Sequence, residues 1–277
     1  TEFICLPLQF DAATLTTEID ALPEQAWRPH PEGHAGNSAL PLIAVEGDPL
    51  NNATKGVMRP TPELERCPAL RQVLAALDAP IGRTRLMRID GNAEATEHVD
   101  VNYYWQQRLR VHIPLVTDPA VRFLCGDKSV HMAPGETWIF DTWRTHNVVN
   151  PTPSRRIHLV IDTVGSASLS ALIARGLRPF GPRGGPPFVP RRVAFDPAAS
   201  PTVWHEVNNF PVVMSPAEQL QLYGPIEKLL PDTEAAMSLH GEVMRFFEAW
   251  RRLWSQHGVQ PAGWQAYGEQ IERCHQT

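Results

Sequence analysis

The sequence is short of several features, and each shortage removes a class of function. No stretch approaches the roughly 20 apolar residues of a transmembrane helix, and residues 1–15 lack the basic start of a signal peptide. A net charge of -5 and a pI near 6.1 leave no basic surplus to neutralise phosphates. We therefore expect a cytoplasmic protein that binds neither membranes nor nucleic acids.

Cysteine is also scarce, and its spacing is uninformative. The four residues are Cys5, Cys67, Cys125 and Cys274, with no CxxC pair among them. Such scattered thiols are typical of reduced cytosolic cysteines rather than of a disulfide framework or a zinc site. Repeats and low-complexity tracts are absent as well. At 277 residues the chain suits one large domain with an appendage, or two modest domains.

Proline, by contrast, is abundant at 27 residues and clusters in the segment 179–201. Such a segment cannot sustain a helix and is typical of a linker. The residues after it have helical patterns over 216–230, 233–256 and 262–274. We therefore expect a β domain over 1–178, a linker over 179–201 and a helical domain over 202–277.

Alternating side chains predict the strands of the first domain. In 108–116 and 155–162, apolar and polar residues alternate, as they do in strands with one buried face. Further strands are expected at 2–10, 82–90, 121–125, 129–132 and 137–140. Helices are expected after the cap Asp11, from Thr61 to about Leu77 and over 166–175, with loops and a short strand at 41–45 between 24 and 60. Many short strands at regular spacing favour a double-sheet jelly-roll barrel.

His98, Asp100 and His146 carry the strongest chemical signal. Residues i and i+2 of a strand point to the same face, so His98 and Asp100 could chelate one metal. Two histidines and one carboxylate are the ligand set of non-haem Fe(II) with open coordination positions. Arg156, on a later strand, has the charge and geometry to hold a dicarboxylate cosubstrate. The alternative is a surface turn that contains His-x-Asp by chance.

Polar side chains on two otherwise apolar strands support the metal hypothesis. Arg110 and His112 share one strand face, and Arg156 and His158 share another. These groups are costly to bury without partners, and a metal with a dicarboxylate would supply them. The alternatives are hydrogen-bonded core histidines at His112 and His158 and a surface salt bridge at Arg110.

Taken in order, these motifs resemble the aspartyl/asparaginyl β-hydroxylase family, and are nearest in pattern to its bacterial members that hydroxylate free proline. That family has an HxD, an RxH on the next strand, a GExWxxD turn, a histidine and a strand with Arg-x-x-x-x-x-Asp. The corresponding residues are His98/Asp100, Arg110/His112, Gly135-Glu136-Trp138-Asp141, His146 and Arg156/Asp162. The similarity is strong over residues 82–163 and weak before them.

The resemblance implies a double-stranded β-helix with a cupin-like core, and it implies roles for individual residues. The iron ligands, and hence the catalytic residues, would be His98, Asp100 and His146. Arg156 would clamp the 5-carboxylate of 2-oxoglutarate, with Arg110 and His112 near its 1-carboxylate end. The cofactors implied are Fe(II), 2-oxoglutarate and O2, with ascorbate as a reductant. Asp100 argues against a halogenase, in which an open position replaces the carboxylate.

Two further segments have structural and functional interpretations. The turn that contains Glu136, Trp138 and Asp141 is expected to position His146. The aromatic run 103–105 could line a substrate pocket, although packing is the simpler role. The helical domain is interpreted as a cover or as the interface of a homodimer, with simple packing as the alternative.

The predicted function is hydroxylation of an unactivated C–H in a free amino acid or small derivative, with succinate and CO2 as coproducts. One alternative keeps the chemistry but acts on aspartyl or asparaginyl side chains of a peptide or protein. The other is a non-catalytic cupin-like binding or sensor protein. The intact ligand set and Arg156 argue against that second alternative, because loss of a ligand would be its simplest sign.

Overall fold

The computed structural model describes residues 1–30, 33–182 and 187–276. The chain divides into two compact units, residues 1–209 and residues 210–277. In the first unit the strands are β1 Phe3–Phe10, β2 Arg28–Pro29, β3 Asn37–Val45, β4 Met58–Pro60, β5 Ile81–Ile89, β6 Ala93–His98, β7 Leu109–Val116, β8 Arg122–Cys125, β9 Lys128–Val130, β10 Glu136–Phe140, β11 His146–Asn150, β12 Arg156–Thr163 and β13 Arg191–Val193.

These strands form two sheets within the described part of the chain. The larger has nine strands in the order β13-β1-β10-β7-β12-β5-β3-β2, with β4 paired to β3, and the smaller has four in the order β6-β11-β8-β9. Every pairing is antiparallel except that of β1 with β13. This mainly β architecture with flanking helices is the predicted double-sheet, jelly-roll class.

Side-chain alternation assigns the two faces of the large sheet. On β12, Ile157, Leu159 and Ile161 enter the main hydrophobic core, which also contains Leu15 and Leu70 from helices on that side. The other face turns towards the small sheet. There a second, smaller cluster is built largely from aromatic and sulfur-containing residues: Phe3, Cys5, Phe123, Cys125, Met132, Trp138 and Phe140. The polar residues of β7 and β12 therefore lie between the two sheets.

The helices of the first unit are α1 Ala12–Asp20, α2 Pro62–Glu65, α3 Pro68–Ala76, α4 Tyr103–Gln106 and α5 Ala167–Ala174, with a 3-10 turn at Glu24–Ala26. Asp11 caps α1 as predicted, by accepting from the backbone N–H groups of Ala13 and Thr14. The prediction of one helix from Thr61 to Leu77 is wrong, because the helix breaks at Cys67. Pro68 disfavours helical backbone at the residue before it, and it then starts α3.

The region 24–60 contains more strand than the sequence suggested. In place of a short strand at 41–45, β3 covers nine residues and pairs with β5 along most of its length. Eight of its nine residues are buried, so the strand shows little of the alternation that reveals a half-buried strand. Pro41 sits at a register shift in that pairing, where a missing N–H is tolerated.

The second unit contains α6 Pro216–Glu227, α7 Glu234–His257, a 3-10 turn at Pro261–Gly263 and α8 Trp264–Gln276, close to the three predicted helices. Its small core is formed by Val213, Trp250, Leu253 and Tyr267. None of the helices in the described ranges is long and apolar enough to cross a membrane.

The proline-rich segment 179–201 belongs to the first unit wherever it is described; residues 183–186 lie outside the described residues. Its strand β13 pairs with the edge of β1, and the segment continues to a buried ion pair between Arg108 and Glu206 at 2.9 Å. These contacts place the observed division after Asn209, later than the predicted start of the helical domain at residue 202.

Candidate metal centre and cavity

His98 and His146 lie side by side in the small sheet. His98 is the last residue of β6, His146 is the first residue of β11, and the two are partners in the antiparallel register. Asp100 lies beyond the end of β6, so the prediction that it shares a strand face with His98 is wrong. Instead, its backbone N–H donates to the carbonyl of Thr142 at 3.0 Å. One ligand atom from each of His98, Asp100 and His146 lies within 4.8 Å of the others.

Backbone carbonyls orient both histidine rings. Nδ1 of His98 lies 2.7 Å from the carbonyl oxygen of Thr96, and Nδ1 of His146 lies 2.9 Å from that of Arg144. A carbonyl oxygen can only accept, so Nδ1 carries the proton and Nε2 keeps its lone pair in the neutral ring. Burial lowers the pKa of His146, which favours the neutral, ligating form. The Nδ1 hydrogen bonds are those expected around a metal ligand.

The turn before His146 is held by Asp141. Its Oδ1 accepts from the backbone N–H of Trp143 at 3.1 Å, and its Oδ2 accepts from Nε of Arg144 at 3.1 Å. The backbone carbonyl of Arg144 accepts the hydrogen bond from Nδ1 of His146. Glu136 sits earlier in the same motif and accepts from Nε1 of Trp138 at 2.8 Å. Asp141 therefore has the contacts of a positioning residue for His146.

Arg110 connects the metal candidates to the large sheet. Its Nη1 donates to Oδ2 of Asp100 at 2.6 Å, and its Nε donates to Oδ1 of Asp162 at 3.0 Å. Its guanidinium carbon lies 3.9 Å from the ring centroid of Trp105. Arg110 is buried, so the alternative of a surface salt bridge is wrong. Arg110 uses only Oδ2 of Asp100, so Oδ1 of that carboxylate can bind another partner.

Arg156 is a buried cation with a single neutral partner. Its Nη2 donates to Nδ1 of His158 at 2.6 Å, while its Nε is buried without a hydrogen bond. No carboxylate pairs with Arg156 among the described residues, and burial lowers its pKa to about 9. Burial, and then the charge of Arg156, hold the pKa of His158 well below its usual value. His158 is thus the neutral acceptor that orients Arg156.

His112 lies nearby with both ring nitrogens buried and without a partner among the described residues. Its ring centroid is 5.7 Å from that of His158. Burial and the charge of Arg156 hold the pKa of His112 well below its usual value. The alternative of a hydrogen-bonded core histidine therefore fits His158 and does not fit His112.

All the predicted site residues border one cavity of roughly 320 Å³ between the two sheets, except His158, which supports the wall from behind. The cavity lining includes His98, Asp100, Arg110, His112, His146 and Arg156, together with Arg83, Arg85, Met87, Trp105, Phe123, Phe140 and Val160. A volume of this order is at the lower end of small-molecule sites. Trp105, from the aromatic run 103–105, is a cavity residue, whereas Tyr104 is packed and almost fully buried.

Sequence reasoning missed three arginines of this cavity, all on β5: Arg83, Arg85 and Arg88, of which Arg88 is paired with Glu24. A signal was present in the strand GRTRLMRI, in which the first two arginines alternate with Thr84 and Leu86. Two arginines at positions i and i+2 of a strand share one face. If that face is buried, it has to supply partners for their charges.

The residues fit Fe(II). Two neutral imidazole nitrogens and one carboxylate oxygen form the donor set of the facial triad that leaves further coordination positions open. The second requirement, a cation for a dicarboxylate cosubstrate, is met by the unpaired Nε of Arg156.

Comparison with known proteins finds a matching family and several structures of low similarity. Residues 43–165 match the family described as aspartyl/asparaginyl beta-hydroxylase. Among solved structures, an oxidoreductase of the 2OG-Fe(II) oxygenase family from Burkholderia pseudomallei is 14% identical, with 57% of this chain and 80% of that chain covered and a TM-score of 0.40.

Two prolyl hydroxylases are similar at the same level. A Pseudomonas putida prolyl-4-hydroxylase is 15% identical, with 58% and 91% of the two chains covered and a TM-score of 0.41. A Trichoplax adhaerens prolyl hydroxylase, solved with a hypoxia inducible factor peptide, is 11% identical, with 58% and 80% covered and a TM-score of 0.39. Similarity this low carries no information on the substrate of this chain. Residues 43–165, which contain every predicted site residue, are thus similar to the aspartyl/asparaginyl β-hydroxylase family.

Proposed function

We propose that this protein hydroxylates an unactivated C–H of a free amino acid or small amino-acid derivative, with 2-oxoglutarate converted to succinate and CO2. The observation that carries the proposal is the convergence of His98, Asp100 and His146 at a cavity that also contains Arg156, to which the described residues offer no counter-ion. Fe(II), when bound with 2-oxoglutarate and O2, supplies the oxidising power that no side chain has.

His98, Asp100 and His146 would hold the metal from one side. The carbonyls of Thr96 and Arg144 keep both imidazoles in the ligating tautomer. Arg110 fixes the orientation of Asp100, since its Nη1 lies 2.6 Å from Oδ2 of that carboxylate. The small sheet thus provides a preorganised donor set.

Arg156 would receive the 5-carboxylate of 2-oxoglutarate. Its Nη2 is fixed by His158 and its Nε has no partner in the described structure, so a carboxylate would satisfy a buried donor. His112, with both nitrogens unpartnered, would donate towards the 1-carboxylate end. Arg110 would act there mainly through its charge, because two aspartates already occupy its donors.

The size of the cavity favours a small substrate. Roughly 320 Å³ must hold the cosubstrate and the group to be oxidised, which leaves little room for a folded partner. An aspartyl or asparaginyl side chain of a peptide is the second candidate, because it needs only a side chain to enter the site and the family description refers to that reaction.

The direct test is anaerobic loading with Fe(II) and 2-oxoglutarate, followed by exposure to air with each of a panel of free amino acids. Succinate release and a +16 mass shift on one amino acid would support the proposal. Turnover only with Asp- or Asn-containing peptides would establish the second candidate. Absence of both, with intact Fe(II) and 2-oxoglutarate binding, would overturn the hydroxylase assignment.

Asp100→Ala provides the control for the metal. It removes the only anionic ligand of the candidate centre, so we expect turnover to be lost and Fe(II) affinity to fall by at least tenfold. Circular dichroism should show the wild-type fold, because Arg110 keeps its ion pair with Asp162. Full activity of this variant would show that the three side chains are not the metal ligands.

A further inference from the structure

The cavity between the sheets has a surplus of positive charge. Five arginines border it, and one of these, Arg88, is paired with Glu24. The other four are Arg83, Arg85, Arg110 and Arg156, and the acids that interact with them are Asp100 and Asp162. If the proposed function holds, Fe(II) would add two positive charges and 2-oxoglutarate would cancel them. A surplus of about two charges would remain for a further ligand, which favours an anionic or zwitterionic one.

Arg85 is the cation that accounts best for this surplus. Nε of Arg83 lies 3.7 Å from Asp162, Arg110 is paired twice, and Arg156 has His158. Arg85 is only 9% exposed, yet within the described ranges its side chain makes neither a hydrogen bond nor an ion pair. Burial, followed by repulsion from Arg83 and Arg110, lowers its pKa to about 9.

The strand register separates Arg85 from Arg156. Arg85 on β5 is opposite Val160 on β12, which is in turn opposite His112 on β7. Arg156 is four residues away from Val160 on β12, or about 13 Å along the strand at roughly 3.3 Å per residue. Arg110 pairs with both the metal candidate Asp100 and Asp162, and Asp162 lies two residues from Val160 on the side of β12 away from Arg156. The two arginines therefore mark two anion positions, of which the one at Arg85 is nearer to the metal candidates.

We propose that Arg85 binds the carboxylate of the substrate that is hydroxylated, while Arg156 binds that of 2-oxoglutarate. This inference rests on the proposed function, and it makes Arg85 the residue that selects substrates with a free carboxylate. A small amino acid held in this way would extend from Arg85 towards the metal. A peptide-linked residue with its main-chain carboxylate consumed in an amide would lose this contact.

The test is calorimetric binding, under anaerobic conditions, to protein already loaded with Fe(II) and 2-oxoglutarate. The ligands are the twenty free amino acids, and then the carboxamide of each one that binds. We expect at least one amino acid to bind, and its carboxamide to bind at least tenfold more weakly. Arg85→Met should weaken the amino acid by at least tenfold, and Arg85→Lys should recover part of that loss.

Arg155→Met is the control, because Arg155 lies outside the cavity lining and its Nη2 donates to Oδ1 of Asp20 at 2.6 Å. Its amino-acid affinity should equal that of the wild-type protein. An Arg85→Met variant with unchanged affinity, or a wild-type protein that binds 2-oxoglutarate but no free amino acid, would overturn the inference. Failure to bind Fe(II) and 2-oxoglutarate at all would instead count against the proposed function itself.

Discussion

One hydrogen bond defines the chemistry available to Arg156. Because its Nη2 donates to Nδ1 of a neutral histidine, the guanidinium is held in place, while no residue in the described ranges supplies a counter-ion for its positive charge. A carboxylate that entered the cavity would be attracted strongly and would be bound in a fixed orientation. His158 is therefore a positioning residue for Arg156. Because it is neutral, it forms a hydrogen bond and no ion pair.

Changing Arg156 to Met should raise the KM for 2-oxoglutarate by about 30-fold or more. A charge-assisted, partly desolvated pair contributes on the order of 2–4 kcal/mol, and every 1.4 kcal/mol corresponds to about a tenfold change in affinity. The KM for the amino-acid substrate should change far less. Steady-state succinate formation measures both constants, and Arg156→Lys should fall between wild type and Arg156→Met.

An unchanged KM for 2-oxoglutarate in Arg156→Met would show that another cation holds the cosubstrate. Arg85 would then be the first residue to test in that role, ahead of Arg110, because Arg110 is already paired with Asp100 and Asp162. In that case Arg85 would bind the carboxylate of 2-oxoglutarate, and Arg156 would be left for the carboxylate of the substrate.

At the scale of elements, the turn before β10 depends on a glycine. Gly135 has φ +78°, and a Cβ there would lie 2.1 Å from the carbonyl oxygen of Phe10. The same turn exchanges backbone hydrogen bonds with β1 and β7, since Phe10 N–H donates to Gly135 and Gly135 N–H donates to Pro114. This turn therefore aligns three strands of the large sheet.

Gly135→Ala should destabilise the protein by about 3 kcal/mol or more. Positive φ costs a non-glycine residue about 1–2 kcal/mol, and the backbone of Phe10 would also have to move. Gly126→Ala is the control, because Gly126 has φ +58° but its Cβ would meet only the Arg144 side chain at 3.9 Å. Urea unfolding should give a loss of about 1–2 kcal/mol for Gly126→Ala. Equal losses for both variants would show that the close approach to Phe10 is not significant.

For the whole molecule, the buried histidines make stability depend on pH. The pKa values of His112 and His158 are held well below 6.5 in the folded chain, first by burial and then by Arg156. Well above pH 6.5 both residues are neutral in the folded and unfolded states and contribute no pH dependence. As the pH falls below 6.5, the unfolded chain binds protons that the folded chain does not, so stability decreases.

We expect the metal-free protein to lose about 2–3 kcal/mol of stability between pH 7 and pH 5.5, since each histidine contributes about 1.4 kcal/mol per pH unit. Hydrogen exchange of the β12 amides, corrected for intrinsic rates, would report this loss for the first unit. His158→Asn keeps an acceptor for Arg156 but cannot titrate. Its loss over the same interval should be smaller by about 1 kcal/mol, and an equal loss would contradict this account.

Local patterns in the sequence were sufficient for the features that depend on neighbours along the chain. The alternation in 108–116 and 155–162 separated the side chains that face the main core from those that face the cavity, because side-chain direction in a strand has a fixed period of two. Both faces of β12 are buried, and its alternation survives because the cavity face is mostly polar. The cap Asp11 and the proline that starts α2 were also evident. The order of the motifs, supported by the family match over 43–165, led to the oxygenase family and to the candidate ligands.

The remaining features depend on which strands become neighbours, and local patterns carry no information about that. β3 was underestimated because burial on both faces removes alternation. Asp100 reaches the histidines through a backbone hydrogen bond to Thr142, 42 positions further along the chain, rather than through a shared strand face. Arg85 became meaningful only once the register placed it beside Val160 and His112, in a cavity where the other arginines have partners. Long-range pairing creates such sites, since the free energy of a buried charge is set by the groups that the fold brings around it.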